Sequence, residues 1–147
     1  MEFIAKPFEE LSTTELYEIL KSRSEVFMLE QGIICQDMDD VDYRSLHCFY
    51  CDGGRVVAYL RAFRSDEAED AFVIGRVLTL EHNNGMGSKL MNDTVALLKE
   101  DYKGKKISLH AQTQAIGFYE KCGFVIVSDE FMEEGVPHVT MELCFLI

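Results

Sequence analysis

The sequence predicts a single α/β domain, assigned to residues 1–147, in which helices cover a mixed sheet. Some segments have alternating apolar residues, which is typical of strands, and between them lie segments whose apolar residues have helical spacing. After an N-terminal helix their order is β-β-β-α-β-α-β-β, which indicates one sheet with helices on its faces. The length of 147 residues, with 48% hydrophobic and 27% charged residues, is ordinary for one globular domain.

The N-terminal helix is predicted to begin at Ser12 or Thr13, because Glu15 follows Ser12 at the spacing of a capping box. Its apolar face continues to Phe27. The segment from Gln31 to Tyr43 breaks this pattern, and it contains four aspartates. We therefore predict a loop or a short helix there.

Three strands are predicted next. The segment from His47 to Cys51 pairs with Val56 to Arg64 across the turn Asp52-Gly53-Gly54-Arg55, a hairpin signal. The run from Ala71 to Leu80 is largely apolar and predicts a central strand.

The second half of the chain predicts two helices and three strands. A helix from Ser88 to Lys103 would bury Leu90, Met91, Val95, Leu97 and Leu98, with Gly104 as its C-cap. Ile107, Leu109 and Ala111 alternate as a strand. A second helix would begin at a Thr113 cap and end at Lys121. The last two strands, Phe124 to Val127 and Val136 to Phe145, would be joined by Glu133-Glu134-Gly135.

Charge and cysteine content limit the function classes. A net charge of −12 argues against nucleic acid as a partner, since phosphates would be repelled. No apolar run approaches the roughly 20 residues of a membrane span, and no export signal is visible. The five cysteines then predict reduced thiols in the cytoplasm. Cys48 and Cys51 would face opposite sides of a strand, so we expect core cysteines and no metal.

The turn from His82 to Ser88, His-Asn-Asn-Gly-Met-Gly-Ser, separates the central strand from the following helix. Such a turn points backbone N–H groups into one concavity, and a helix N-terminus carries about half a positive charge. No acidic residue occurs between positions 82 and 88. The motif indicates a phosphate or pyrophosphate site, although taken alone it fits a tight strand-to-helix turn equally well.

A second motif, Phe118-Tyr119-Glu120-Lys121-Cys122-Gly123-Phe124, lies where a helix ends and a strand begins. Phe118 and Phe124 predict core aromatics. Adjacent helical residues face different directions, so a buried Phe118 would point Tyr119 toward an edge or cleft. A phenol there, with a usual pKa of about 10, can act as an acid at neutral pH.

Together these motifs resemble the Gcn5-related N-acetyltransferases (GNAT). The family pattern is an apolar strand, then x-x-Gly-x-Gly at a helix start, then Phe-Tyr-x-x-x-Gly-Phe further along. Other segments resemble the ElaA-type branch of that family: Arg23 to Gln31, Asp37, Asp39, Asp42, His47, Ile74 to Val77, and Gly135 to His138.

The resemblance implies the GNAT fold, a mostly antiparallel sheet with a splay between two strands and helices on both faces. It also implies an enzyme that transfers an acetyl group from acetyl-coenzyme A to a primary amine of a small molecule or peptide. The residues expected at the cofactor are Val77, Leu78, Thr79, His82, Asn83, Asn84, Gly85, Met86, Gly87, Ser88, Phe118 and Tyr119. Tyr119 would protonate the leaving thiolate. Because His82 replaces the usual Gln or Arg, we expect weaker or pH-dependent cofactor binding.

The amine acceptor must lose a proton before it attacks. Candidate bases are Glu30, Asp39, His47, His110 and His138, of which His110 and Glu30 are the expected catalytic pair with Tyr119. An acidic acceptor pocket, formed by Glu30, Asp39, Asp42, His47 and His138, would suit a cationic amine. Another acyl transfer, or a non-catalytic acetyl-coenzyme A sensor on the same fold, remains an alternative. Dimers are common in such families, so a homodimer is one expectation.

Overall fold

The computed structural model describes residues 1–145 as eight strands and three α-helices, joined by turns and short 3₁₀ and π-helical segments. The strands are β1 (Ile4–Pro7), β2 (Leu46–Asp52), β3 (Arg55–Arg64), β4 (Ala71–Thr79), β5 (Lys106–Gln112), β6 (Val125–Ile126), β7 (Phe131–Glu133) and β8 (Val136–Cys144). The helices are α1 (Thr13–Arg23), which continues as a π-helix (Ser24–Glu30), α2 (Met86–Glu100) and α3 (Ile116–Lys121).

All eight strands form one sheet in the order β1-β2-β3-β4-β5-β8-β6, with β7 also paired to β8. Neighbours run antiparallel except β4 and β5, which are parallel. This parallel pair is joined only from Ala71–Val73 to Lys106–Ser108. Beyond that register the two strands separate, which confirms the predicted splay in a mostly antiparallel sheet.

Helices cover both faces of the sheet, as predicted. On one face α1 and the π-helix bury Ile19 and Val26 against Phe49 and Tyr59. On the other face, α2 and α3 pack against the side chains of the sheet that point to that side. Leu90, Leu98 and Tyr119 are among the residues buried there. Cys48 lies in this second core, whereas Cys51 packs half-buried against the first. The two cysteines therefore face opposite sides of β2, as expected.

Local sequence signals explain several element boundaries. The Ser12 hydroxyl accepts from the Glu15 N–H at 3.0 Å, and the Glu15 carboxylate accepts from the Ser12 N–H at 2.8 Å, so the capping box is confirmed. Gly53 and Gly54 have φ of 58° and 83°, the left-handed pair that a tight two-residue hairpin between β2 and β3 needs.

The prediction of Gly104 as the C-cap of α2 is wrong. The helix ends at Glu100, and Lys103, not Gly104, adopts the left-handed conformation. Glycine is needed at position 104 for a different reason: a Cβ there would lie 3.0 Å from the Phe72 ring and 3.1 Å from the Leu98 carbonyl oxygen. The close approach of this turn to β4, and not its φ, selects the residue.

Three further boundaries differ from the prediction. Strands β1 and β7 are absent from it, because each is only three or four residues long and depends on pairing with β2 or β8. The segment from Thr113 forms a 3₁₀ turn before α3, and no side-chain cap is formed there. The expected strand Phe124 to Val127 shortens to the two exposed residues of β6.

Candidate active site

A cavity of about 720 Å³ opens where β4 and β5 separate. Its walls come from β4, the ends of β5, β7 and β8, α3, and the loop between the π-helix and β2. Of the residues singled out from the sequence as catalytic, cofactor or acceptor contacts, six line it: Asp39, Val77, His82, His110, Tyr119 and His138. The other predicted residues do not line it: the acceptor and base candidates Glu30, Asp42 and His47, and the cofactor candidates Leu78, Thr79, Asn83 to Ser88 and Phe118.

Strand β4 carries a bulge where it borders this cavity. Two residues, Arg76 and Val77, lie opposite the single residue Leu60 of β3, and Arg76 has φ of 54°. The bulge lies in the part of β4 that has left β5. Backbone groups of β4 in this region are therefore available to a ligand that extends along the open edge.

The turn before α2 has the geometry expected of an anion site. Asn83 and Gly85 both take left-handed conformations, with φ of 61° and 77°, so the turn tolerates asparagine as predicted. The first intrahelical bond runs from the Lys89 N–H to the Gly85 carbonyl at 3.1 Å, and Asn84 Oδ1 accepts from the Met86 N–H at 3.1 Å. The N–H groups of the next two residues precede any helical acceptor and can face a ligand.

Gly87 is held against α3. A Cβ at this position would lie 3.3 Å from the Phe118 ring and 3.6 Å from Thr79 Cγ2. The start of α2, the end of β4 and Phe118 thus converge around a backbone position without a side chain. This convergence brings together residues that the sequence motifs placed far apart, and it leaves the helix N-terminus uncovered.

His82 does not turn toward that helix N-terminus. Its Nε2 lies 2.5 Å from the Glu30 carboxylate, and both side chains are about half exposed, at 58% and 46%. The pair ties the end of the π-helix to the turn at the mouth of the cavity. Glu30, expected as a base inside the site, is therefore held at the rim by His82.

Tyr119 is the buried member of the Phe118–Tyr119 pair, which reverses the orientation considered from the sequence. Tyr119 is 8% exposed and packs edge-on against Phe118 and Phe124, while Phe118 is half-buried against Gly87. Tyr119 nevertheless lines the cavity. Burial raises the pKa of its phenol above the usual value, and the nearby Cys122 adds to that rise. The phenol therefore stays protonated at neutral pH.

The expected acidic acceptor pocket is neutralised by buried arginines. Asp39 receives two hydrogen bonds from Arg61, at 2.8 and 2.7 Å. Asp42 Oδ1 accepts from Arg23 at 2.7 Å and from Arg61 at 3.0 Å. The hydrogen bonds from Arg61 lower the pKa of Asp39 to about 2. Burial opposes ionisation of Asp42, but the two arginines still lower its pKa.

Asp37 completes this network and anchors the loop. Its carboxylate accepts from Arg23 at 3.0 Å and from Arg76 at 2.9 Å, and its carbonyl accepts from both guanidinium groups at 3.0 Å. Three aspartates are therefore matched by three arginines. The network carries no net negative charge, and its members Asp37, Asp39, Arg61 and Arg76 line the cavity. The expectation of charge attraction by Asp39 and Asp42 is therefore wrong.

His47 is fully buried, so the structure does not bring it to the acceptor site. Its two ring nitrogens lie 2.7 Å from the Tyr59 hydroxyl and 2.9 Å from the Asp42 carbonyl oxygen. Burial lowers the pKa of His47, which keeps the imidazole neutral. Its role here is to support the loop that carries Asp42.

His110 and His138 line the cavity on the side opposite the arginines. His110 is exposed on β5, and its Nδ1 lies 2.8 Å from Glu133 Oε1. His138 is 7% exposed, and its Nδ1 donates to the Val136 carbonyl at 2.7 Å. Among the predicted bases, His110 has the most open position in the cavity.

Several cavity residues were not predicted from the sequence. The sequence predicts Glu133 only as part of a turn; the two-residue turn Glu134-Gly135, which joins β7 to β8, is the local signal of a hairpin. Two glutamines form a bridge across the rim, from Gln112 Nε2 to Gln31 Oε1 at 3.0 Å. Arg61 lies on a strand and has no local signal of a role in the site, whereas Arg76 belongs to the segment Ile74 to Val77 that resembles the ElaA-type branch.

Within residues 1–145, no group of three or more His, Cys, Asp or Glu side chains is arranged to hold a metal ion. Over the same range, no helix has the length and apolar character needed to cross a membrane.

Comparison with known proteins identifies the family. A family model described as an acetyltransferase (GNAT) domain matches residues 15–145. The chain belongs to the GNAT acetyltransferase family. The protein ElaA of Escherichia coli is 35% identical over 136 residues, covering 90% of this chain and 89% of ElaA. A UPF0039 protein of Schizosaccharomyces pombe is 35% identical over 147 residues, covering 97% of each chain.

Solved GNAT structures agree with this assignment. The crystal structure of Escherichia coli ElaA has a TM-score of 0.89 at 32% identity, covering 97% of this chain and 98% of ElaA. An acyl-CoA N-acyltransferase from Pseudomonas aeruginosa also has a TM-score of 0.89, at 29% identity, covering 98% and 100% of the two chains. The ElaA-type branch of the GNAT family, suggested by the sequence motifs, is thereby confirmed.

Proposed function

We propose that the protein is an acetyl-coenzyme A-dependent N-acetyltransferase that acts on a primary amine of a small molecule or peptide. One observation carries the proposal: the protonated phenol of Tyr119 and the open edge of β4 at Val77 line one cavity, and the turn that leads into α2 begins at His82 on the same cavity. Acetyl transfer from a thioester needs these three elements, namely an acid for the leaving sulfur, a backbone edge for an extended arm and an anion site.

The described residues fit acetyl-coenzyme A. The N–H groups of Gly87 and Ser88 are suited to a pyrophosphate, because they lie at the positive end of α2 and no acidic side chain occurs in its first turn. The unpaired part of β4 around Val77 is suited to the pantetheine arm. Leu78 is buried in the core, so only its backbone can contribute. When bound, acetyl-coenzyme A would supply the acetyl thioester.

Tyr119 is the proposed general acid. Its raised pKa keeps the proton on the phenol at neutral pH, so Tyr119 is available to donate to the negative charge that develops on the departing sulfur. Burial among Phe118 and Phe124 limits water around it, which strengthens a hydrogen bond to developing charge on sulfur. A pure sensor has no need for this donor, so Tyr119 supports turnover over the sensor alternative.

His110 is the proposed general base. It lies in the same cavity as Tyr119 and is open to it. Removing a proton from the attacking amine and delivering one to the sulfur are separate events, and the two residues come from separate elements, β5 and α3. We further propose a cytoplasmic setting, which the five free cysteines support, and a homodimer as the assembly.

An acetyl-transfer assay tests the proposal. Acetyl-coenzyme A is incubated with polyamines, aminoglycosides, amino acids and lysine peptides, and products are separated by chromatography with mass detection, because the protein's own thiols would react with a thiol reagent. We expect at least one acetylated amine, and a loss of about a hundredfold or more in kcat for Tyr119→Phe.

Tyr17→Phe is the matched control, because Tyr17 is 67% exposed and lies outside the cavity. It should retain the wild-type rate. Binding of acetyl-coenzyme A without any acetylated product across the panel would favour the sensor alternative. An unchanged rate in Tyr119→Phe would remove Tyr119 as the acid.

A further inference from the structure

Strands β5, β8 and β7 bring four side chains together at one end of the cavity. His110 lies on β5, His138 on β8, and Phe131 and Glu133 on β7, with Phe131 directly opposite His138 in the strand register. The Phe131 ring contacts the His110 ring edge-on, with centroids 5.1 Å apart, and stacks on the His138 ring at 6.1 Å. Paired strands and ring packing therefore restrict the orientation of both imidazoles.

Glu133 lies between the two imidazoles. Its Oε1 is 2.8 Å from His110 Nδ1, and its Oε2 is 3.6 Å from His138 Nε2. An ionised carboxylate only accepts hydrogen bonds, so His110 must donate from Nδ1. In neutral His110 the lone pair is then on Nε2, which is the atom left free to take a proton. The contact with His138 is longer than a hydrogen bond, so His110 is the main partner.

We propose that Glu133 is a positioning residue for acetyl transfer, which holds His110 in the Nδ1-protonated tautomer and stabilises the imidazolium that forms during the reaction. This inference rests on the proposed function. The amine nitrogen forms a bond to the acetyl carbon while the carbon–sulfur bond breaks. The amine proton passes to His110 Nε2, and the sulfur takes the proton of Tyr119. Proton exchange with water then restores both groups.

A second role for Glu133 would be electrostatic attraction of a cationic amine, shared with Glu134 on the same turn. The two roles differ in their consequences. A positioning role changes the pH dependence of the rate through His110, whereas attraction changes the KM of the amine. The variants leave the other charged or titratable side chains that line the cavity unchanged. These side chains are Cys35, Asp37, Asp39, Arg61, Arg76, His82, Tyr119 and His138.

Glu133→Gln is the main test. We expect kcat to fall about 10–100-fold with an unchanged KM for acetyl-coenzyme A, as for removal of other partners that orient a reactive group. The acidic limb of the kcat/KM profile should change, because the imidazolium that forms during the reaction loses its carboxylate partner. Glu134→Gln removes the same charge one residue away and should leave that limb in place.

Two further measurements separate positioning from a general structural effect. His110→Ala combined with Glu133→Gln should be no slower than His110→Ala alone, because Glu133 acts through His110. The chain has only four histidines, so imidazole ¹⁵N spectra can be assigned with single variants. They should show one tautomer at His110, protonated on Nδ1, and a mixture in Glu133→Gln.

The possible outcomes distinguish the positioning role of Glu133 from acceptor binding and from a failure of the proposed function. An unmoved acidic limb and an unchanged tautomer in Glu133→Gln would overturn the positioning role, and a raised amine KM with an unmoved limb would assign Glu133 to acceptor binding instead. A wild-type protein that acetylates no amine would overturn the proposed function itself. An active wild type with an unaffected Glu133→Gln would overturn this inference alone.

Discussion

Asp42 should contribute far more to stability than a surface carboxylate does. Its Oδ1 accepts from Arg23 at 2.7 Å and from Arg61 at 3.0 Å, and the side chains of the two arginines are 0% and 5% exposed. In Asp42→Ala both guanidinium groups lose a carboxylate partner while they remain buried. Breaking a buried pair from one side costs about 3–5 kcal/mol of the free energy of unfolding. For a domain of this size, that corresponds to a fall in Tm of about 6–20 °C.

Urea denaturation followed by circular dichroism measures this cost. Glu25→Ala is the matched control, because the Glu25–Arg55 pair has a similar distance of 2.8 Å but both side chains are 39% exposed. An exposed pair contributes less than about 1 kcal/mol. A result in which Asp42→Ala destabilises no more than Glu25→Ala would contradict the conclusion that this network is buried and neutral.

The pKa of Asp39 is lowered to about 2 and that of Asp42 is also lowered, so the stabilisation that these carboxylates give is complete above about pH 4 and is lost as the pH falls toward 2. Urea titrations at several pH values should show this loss of stability, and the loss should be smaller in Asp39→Asn. Gly87→Ala should weaken acetyl-coenzyme A binding about tenfold in calorimetry, with little loss of stability, because the new Cβ crowds Phe118 while alanine favours the helix. Cys48 is fully buried and its pKa is raised to about 12, so a thiol reagent should modify the exposed Cys144 in the native protein but reach Cys48 only on unfolding; equal rates would contradict its burial.

Features that depend on neighbouring residues in sequence were predictable. The Ser12 capping box, the Gly53-Gly54 hairpin and the amphipathic face of α2 are each encoded within a few positions, and the structure confirms all three. The turn before α2 was also predictable, including the left-handed Asn83. In each case local backbone geometry restricts the residue type.

Features that depend on distant partners were not predictable. Asp39 and Asp42 look like free carboxylates in the sequence, because the arginines that neutralise them lie on α1 and β3. His47 looks like a candidate base until both ring nitrogens are seen to be occupied inside the core. Glu133 lies beside His110 because β7 pairs with β8, and β7 is too short to predict without that partner.

The opening between β4 and β5, together with the N-terminus of α2, is the proposed binding site for acetyl-coenzyme A. Isothermal titration of acetyl-coenzyme A into the wild-type protein tests it most directly. We expect one molecule bound per chain and a rise in Tm of the complex, since a ligand at a hundred times its Kd adds about 2.7 kcal/mol to the free energy of unfolding. No heat of binding and no Tm shift at millimolar acetyl-coenzyme A would contradict the claim.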